Sequence, residues 1–136
     1  MNYNFNNQLL HYGRHFIDNS DIKEVIKVLK SNNLTQGNTI INFEKKLSRK
    51  FGSKYAAVLS NGTAALYLVG RVLNWSSKDI IITSPITFLA TANSIVYNGA
   101  QPDLCDINLY NYTIDVNRLE DKIKNHIKNN RKVKSI

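Results

Sequence analysis

From Tyr55 onward the chain alternates short apolar, β-branched runs with stretches of helical period. That alternation confines it to an α/β architecture with a mainly parallel sheet. Tyr55–Leu59 reads as a buried strand and Thr63–Leu73 as a helix, with Ala65, Leu66, Val69, Val72 and Leu73 on one face. Asp79–Thr83, a run of isoleucines closed by Ser84-Pro85, reads as a second strand. Phe88, Ala92, Ile95 and Val96 give a helical face that ends at Asn98-Gly99, and Gln101–Asp106 reads as a third strand. Asp115 precedes a last helix carrying Val116, Leu119, Ile123 and Ile127. Lys132–Ile136 looks like the start of another strand. Because a parallel sheet is covered on both faces, the expectation is an N-terminal part of a longer protein.

Before Tyr55 the pattern is helical. Asp18-Asn19-Ser20 supplies N-cap chemistry ahead of Ile22, Val25, Ile26 and Leu29, spaced for one face. A loop through Leu34-Thr35-Gln36-Gly37 leads to a second helix, about Thr39 to Lys50, closed by Phe51-Gly52. The expected division is 1–54 as a helical arm and 55–136 as the first part of an α/β domain.

The turn Ser60-Asn61-Gly62-Thr63-Ala64 joins the first expected strand to its helix. A glycine turn there leaves backbone N–H groups free at the positive end of a helix dipole, where a phosphate can bind. Gly62 removes a side chain from the path of the anion, and Thr63 can cap the helix and offer its hydroxyl. Three other readings stand beside this one: a hairpin at Asn61-Gly62, a glycosylation acceptor, and a turn that binds nothing. The helical period after Thr63 argues against the hairpin. Asn111-Tyr112-Thr113 is a second acceptor pattern. No Walker ending and no Gly-x-Gly-x-x-Gly is present.

The formal charge of +8 raises nucleic acid as a partner. The lysines are scattered over helix faces, and the densest group, Lys122 to Lys134, reads as a solvated surface. No apolar run reaches the ~18 residues that span a bilayer. The polar N-terminus does not read as a signal peptide, and Cys105 reads as a small core residue. A cytoplasmic setting is the expectation, without membrane or nucleic-acid partners. His11, His15 and His126 lack metal-ligand spacing and are assigned no metal and no other role.

Ser60–Leu66, Thr83–Asn93 and Gly99-Ala100-Gln101-Pro102 together resemble the DegT/DnrJ/EryC1/StrS family of pyridoxal-phosphate-dependent sugar aminotransferases. The resemblance runs from about Tyr12 to Ile136. Leu34–Gly37 and Ser84–Phe88 look most like its branch of UDP-4-amino-4,6-dideoxy-N-acetyl-β-L-altrosamine transaminases, in pseudaminic acid biosynthesis. It implies the N-terminal part of the large domain of fold type I transferases, which are aspartate aminotransferase-like.

By motif position, Gly62, Thr63 and Ala64 match the turn that holds the cofactor phosphate, and Phe88 matches the residue stacked on its ring. Read from the residues alone, Phe88 is a core phenylalanine on the face of Ala92 and Ile95. Tyr12, Asn32, Asn33, Leu34, Thr35 and Gly62 match positions lining the nucleotide-sugar site; by composition they are a surface tyrosine and a capping loop. Asn93 and Asp106 read as structural.

The implied reaction moves an amino group from glutamate to C4 of a UDP-linked 4-keto-6-deoxy-N-acetylhexosamine, in a homodimer. The Schiff-base lysine and the acidic partner of the pyridinium nitrogen are expected beyond Ile136, so no catalytic residue is assigned within the chain. By itself it is expected to be inactive. Some relatives carry histidine in place of that lysine and are sugar dehydratases. Another nucleotide-sugar aminotransferase, a dehydratase and a basic nucleic-acid-binding domain are the alternatives.

Overall fold

The computed structural model describes residues 13–136; Tyr12 lies outside them. They form two compact units that meet in sequence at Val58/Leu59.

The first unit carries α1 (Asn19–Leu29) and α2 (Asn38–Phe51). Asp18 starts α1 with a reciprocal cap. Its Oδ1 accepts from the Ser20 and Asp21 amides at 2.7 and 3.2 Å, while Asp21 Oδ2 accepts from the Asp18 amide at 3.0 Å. The Ser20 hydroxyl, donating to Oδ1 at 2.6 Å, leads the interactions that hold the Asp18 carboxyl below its ordinary pKa. A group depressed in the folded state loses its contribution as pH falls through its folded pKa. Acidification below about pH 4 is therefore expected to fray α1 from its N-terminus. Amide exchange at Ser20 and Asp21 is the measurement, and Asp18→Asn should flatten the acid response. α2 ends at Gly52, whose φ of +63° suits glycine and lets Ser53 donate to Ser48 O at 3.0 Å.

The apolar run Tyr55–Leu59 is a correction: it forms no strand. A strand exists only when paired, and no described segment pairs with this one. The Val58 amide instead donates to Glu44 Oε1 at 2.9 Å, and Tyr55 is exposed.

The second unit contains α3 (Gly62–Val72), β1 (Asp79–Thr83), α4 (Ala90–Tyr97), β2 (Gln101–Leu104), α5 (Val116–Lys128) and β3 (Lys132–Ser135). The three strands make a parallel sheet in the order β2-β1-β3, with Ile80 opposite both Gln101 and Val133. β2 stops two residues earlier than the sequence suggests, although the Cys105 amide still donates to Thr83 O at 2.9 Å.

Central β1 is buried on both faces, which is why its apolar residues run without alternation. Ile80 and Ile82 face Cys105, Leu119, Ile123 and Val133; Ile81 faces Ile95, Ala100 and Trp75 on the other side. α4 begins at Ala90, so Phe88 is not on its face: it sits in the preceding turn, 78 % exposed. Residues 84–89 form bends and a turn ahead of α4, with Ser84, before the proline, held off helical backbone.

A buried carboxylate anchors the start of β1. Asp79 Oδ2 accepts from Ser76 N and Oγ at 2.9 and 2.8 Å. Its Oδ1 takes no directed hydrogen bond and faces the Lys132 ammonium at 3.2 Å. The Ser76 hydroxyl, ahead of Lys132, pulls the Asp79 carboxyl down to about 2 against the opposing effect of burial. Its contribution is complete above the ordinary carboxylate pKa and fades as pH falls toward 2. Asp79→Asn is expected to lower the unfolding midpoint at neutral pH and to weaken its dependence on acid. Fluorescence of Trp75, the single tryptophan, reports both.

Candidate functional site

The N-terminus of α3 is built by Asn61 rather than Thr63. Asn61 has extended backbone, its Oδ1 accepts from the Ala64 amide at 2.8 Å, and its C=O accepts from the Ala65 amide at 3.3 Å. This corrects the capping role expected of Thr63. Asparagine is among the favoured N-cap residues, so the signal was present, one residue before the glycine. The amides of Gly62 and Thr63 have no hydrogen-bond acceptor among the described residues. Both residues are exposed, and a Cβ added to Gly62 would meet nothing within 4 Å. Two N–H groups without an acceptor thus stand at the positive end of the α3 dipole, beside an exposed threonine, a setting suited to an anion.

The other half of the site follows β1. Ser84 Oγ accepts from the Ile86 amide at 3.2 Å, and Phe88 O accepts from the Thr91 amide at 2.9 Å. The Thr87 and Thr91 hydroxyls lie 2.9 Å apart. These bonds shape a turn that presents the Phe88 ring to solvent, where a flat partner can reach its face.

Helix packing brings the two halves to one end of the sheet. Asn98 at the end of α4 donates to Tyr67 O at 3.0 Å, and a Cβ on Gly70 would sit 2.4 Å from Asn98 Nδ2. The C-terminal halves of α3 and α4 therefore lie together, and the helices run the same way. α4 returns from the end of β1 to the start of β2, so both helix N-termini point to the carboxyl end of β1. That is the end where open α/β sheets bind ligands.

Asn32, Asn33, Leu34 and Thr35 form an exposed loop in the first unit, held by Ser31 Oγ donating to Asn33 O at 3.3 Å. They lie in a different unit from Gly62. The Asn93 backbone N–H makes an ordinary helical bond to Leu89 O at 3.0 Å, and Asp106 forms an exposed pair with Arg118 at 3.2 Å.

A family model for the DegT/DnrJ/EryC1/StrS aminotransferases matches residues 15–131. The chain belongs to this family.

The family relatives are longer. A UDP-4-amino-4,6-dideoxy-N-acetyl-β-L-altrosamine transaminase of Campylobacter jejuni is 38% identical over 115 residues, which are 85% of this chain and 30% of that protein. The PLP-form structure of a Streptococcus pneumoniae protein described as a sugar aminotransferase superposes with a TM-score of 0.72. It is 31% identical and the match covers 78% of this chain and 27% of that one. A GDP-4-keto-6-deoxymannose-3-dehydratase with a trapped PLP-glutamate geminal diamine gives a TM-score of 0.69 at 26% identity, over 77% and 29%. The family chain has the α/β order and parallel sheet expected of the first part of such a fold.

The described residues contain no cluster of metal-ligating groups and no helix long and apolar enough to cross a membrane. Lys122, Lys124, Lys132 and Lys134, in the densest basic run, are each engaged by a carboxylate. Lys128 and Arg131 of the same run have no carboxylate within 4.0 Å among the described residues. His126, to which the sequence assigned no role, is buried and bonded to Asp103. Its position four residues after Lys122, on the inner face of α5, was the available signal.

Proposed function

We propose that this chain supplies the phosphate grip and ring platform of a pyridoxal-phosphate-dependent nucleotide-sugar aminotransferase. Its substrate is a UDP-linked 4-keto-6-deoxy-N-acetylhexosamine, aminated at C4 at the expense of glutamate, in pseudaminic acid biosynthesis. The observation that carries this reading is the pair of acceptor-free amides at Gly62 and Thr63 in a chain of this family. The residues fit the cofactor: the space over Gly62 is open, the helix terminus favours a dianion, and an exposed aromatic ring lies at the same end of the sheet.

When bound, pyridoxal phosphate supplies an electron sink for the amino-group transfer. Gly62 and Thr63 hold the phosphate through their amides, with Thr63 adding its hydroxyl. Ala64 keeps that turn narrow, and its own amide is already satisfied by Asn61. Phe88 covers one face of the ring, excludes water and restrains its tilt. By motif position alone, Tyr12, Asn32, Asn33, Leu34, Thr35 and Gly62 are assigned to the nucleotide sugar. Residues 1–54 serve as a helical arm with a substrate loop, and 55–136 as the first part of the cofactor domain. The working protein is a cytoplasmic homodimer.

None of the chain's lysines lies in the family's lysine motif, so the 136-residue chain alone is expected not to transaminate. The test uses the product of a gene carrying this segment and the remainder typical of the family. With pyridoxal phosphate and glutamate it should convert the UDP-4-keto sugar to an amino sugar, read by mass spectrometry. The similarity to a 3-dehydratase supports a second reading. Loss of a hydroxyl without gain of nitrogen in the sugar would select that reading instead.

A further inference from the structure

We propose that Asp103, Lys122 and His126 form an acid-released clasp that docks α5 onto β2, at a place the proposed reaction does not use. His126 is 6 % exposed, and its Nε2 lies 2.6 Å from Asp103 Oδ2. The Lys122 ammonium donates to the other oxygen, Oδ1, at 2.8 Å. Lys122 and His126 stand four residues apart on α5, so both reach one carboxylate on β2 from the same side.

The apolar contact of α5 is short. Leu119 and Ile123 pack on Ile80, Ile82 and Cys105, while Val116 and Ile127 at the two ends are 72 % and 65 % exposed. Beyond Ile123 the helix is held by the turn into β3, where the Arg131 amide donates to His126 O at 2.9 Å, and by this polar contact with β2. An ionised carboxylate only accepts, so the shared proton sits on His126 Nε2.

The groups around Asp103 are few. Lys122 and His126 face it from α5, Arg131 lines the same recess, and Cys105 follows just past the end of β2. β1 and β3 contribute the apolar Ile80, Ile82 and Val133. Burial pushes the Asp103 carboxyl up, and the bonds from Lys122 and His126 more than reverse it, leaving it below its ordinary value. A depressed carboxylate contributes fully above its unfolded pKa near 4 and loses that contribution as pH falls through the folded value. Protonation removes the charge that both donors share, and α5 is released at its C-terminal half.

Amide exchange of the whole chain tests the clasp. In the parent, protection of the second half of α5 should fall as pH drops below about 4. Asp103→Asn should speed exchange there on the order of tenfold at neutral pH, because charge-assisted bonds are lost, and should flatten the acid response. His126→Ala should lose protection, and His126→Gln, which keeps a neutral N–H donor, should recover most of it. An Asp103→Asn acid profile that follows the parent's would overturn the clasp, as would equal loss in both His126 variants. The parent also gives a test that needs no substitution: nitrogen shifts of His126 should show the proton on Nε2, and a proton on Nδ1 alone sinks the proposal.

Discussion

Gly62→Ala is expected to separate folding from cofactor binding. The added Cβ meets no protein atom within 4 Å, and the backbone there does not have positive φ. The chain itself therefore gives no reason for glycine at this position. Alanine in the first turn of a helix is the better helix former, so stability should stay level or rise by up to about 1 kcal/mol. In the full-length protein the methyl group would stand where the phosphate approaches the Gly62 and Thr63 amides. Weakening two bonds to a dianion, each worth about 1.5–3 kcal/mol, corresponds to roughly a hundredfold loss of affinity. Thermal unfolding of the 136-residue chain and pyridoxal phosphate titration of the full-length protein give the two readouts. A lower melting temperature would show that the fold needs the glycine. Unchanged cofactor affinity with an intact fold would remove the phosphate from this turn.

Gly70→Ala should have the opposite profile, a large cost in stability. Gly70 is buried on α3, and its Cβ would lie 2.4 Å from Asn98 Nδ2 and 2.5 Å from Trp75 Cε3. Neither neighbour yields easily. Asn98 Nδ2 donates to Tyr67 O and Ser94 O at 3.0 and 2.8 Å, and the Trp75 indole donates to Ser135 Oγ at 3.0 Å while packing on Ile81. Overpacking of this kind costs about 1–3 kcal/mol, and displaced buried hydrogen bonds add to it. The helix-propensity gain offsets about 1 kcal/mol. A net loss of about 2 kcal/mol, on the order of 10 °C, is expected for a domain of this size. Trp75 fluorescence should shift with it. Asn98→Ala in the same chain should couple to the change, because the two residues share one contact. A Gly70→Ala chain as stable as its parent would show that α3 and α4 can part without penalty.

Much of the second unit was legible because its signals are local. Asp115 caps α5 by accepting from the Asn117 and Arg118 amides, both at 3.0 Å, as its place before the apolar period implied. Asp79–Thr83 is the strand its isoleucines suggest, and Lys132–Ser135 does pair in the sheet. Tyr55–Leu59 has the composition of a strand but lacks a partner among the described residues. Phe88 has the spacing of a helical face, but it lies in the turn before α4 begins at Ala90. At α3 the cap is Asn61, one residue before the glycine, where asparagine's short side chain reaches the Ala64 amide.

What the residues determined alone is the family and the order of the elements after Ser60, because each depends on neighbours within a few positions or on a motif. What only the tertiary structure decided is which groups meet. Gly70 proves to be a contact residue because Asn98, twenty-eight positions later, comes back against it. Asp103 and His126 become partners because parallel pairing lays β2 beside β1 while α5 crosses the same face. Hydrogen bonds and close packing act over a few ångströms, and distance along the chain says nothing about that separation until the fold closes it.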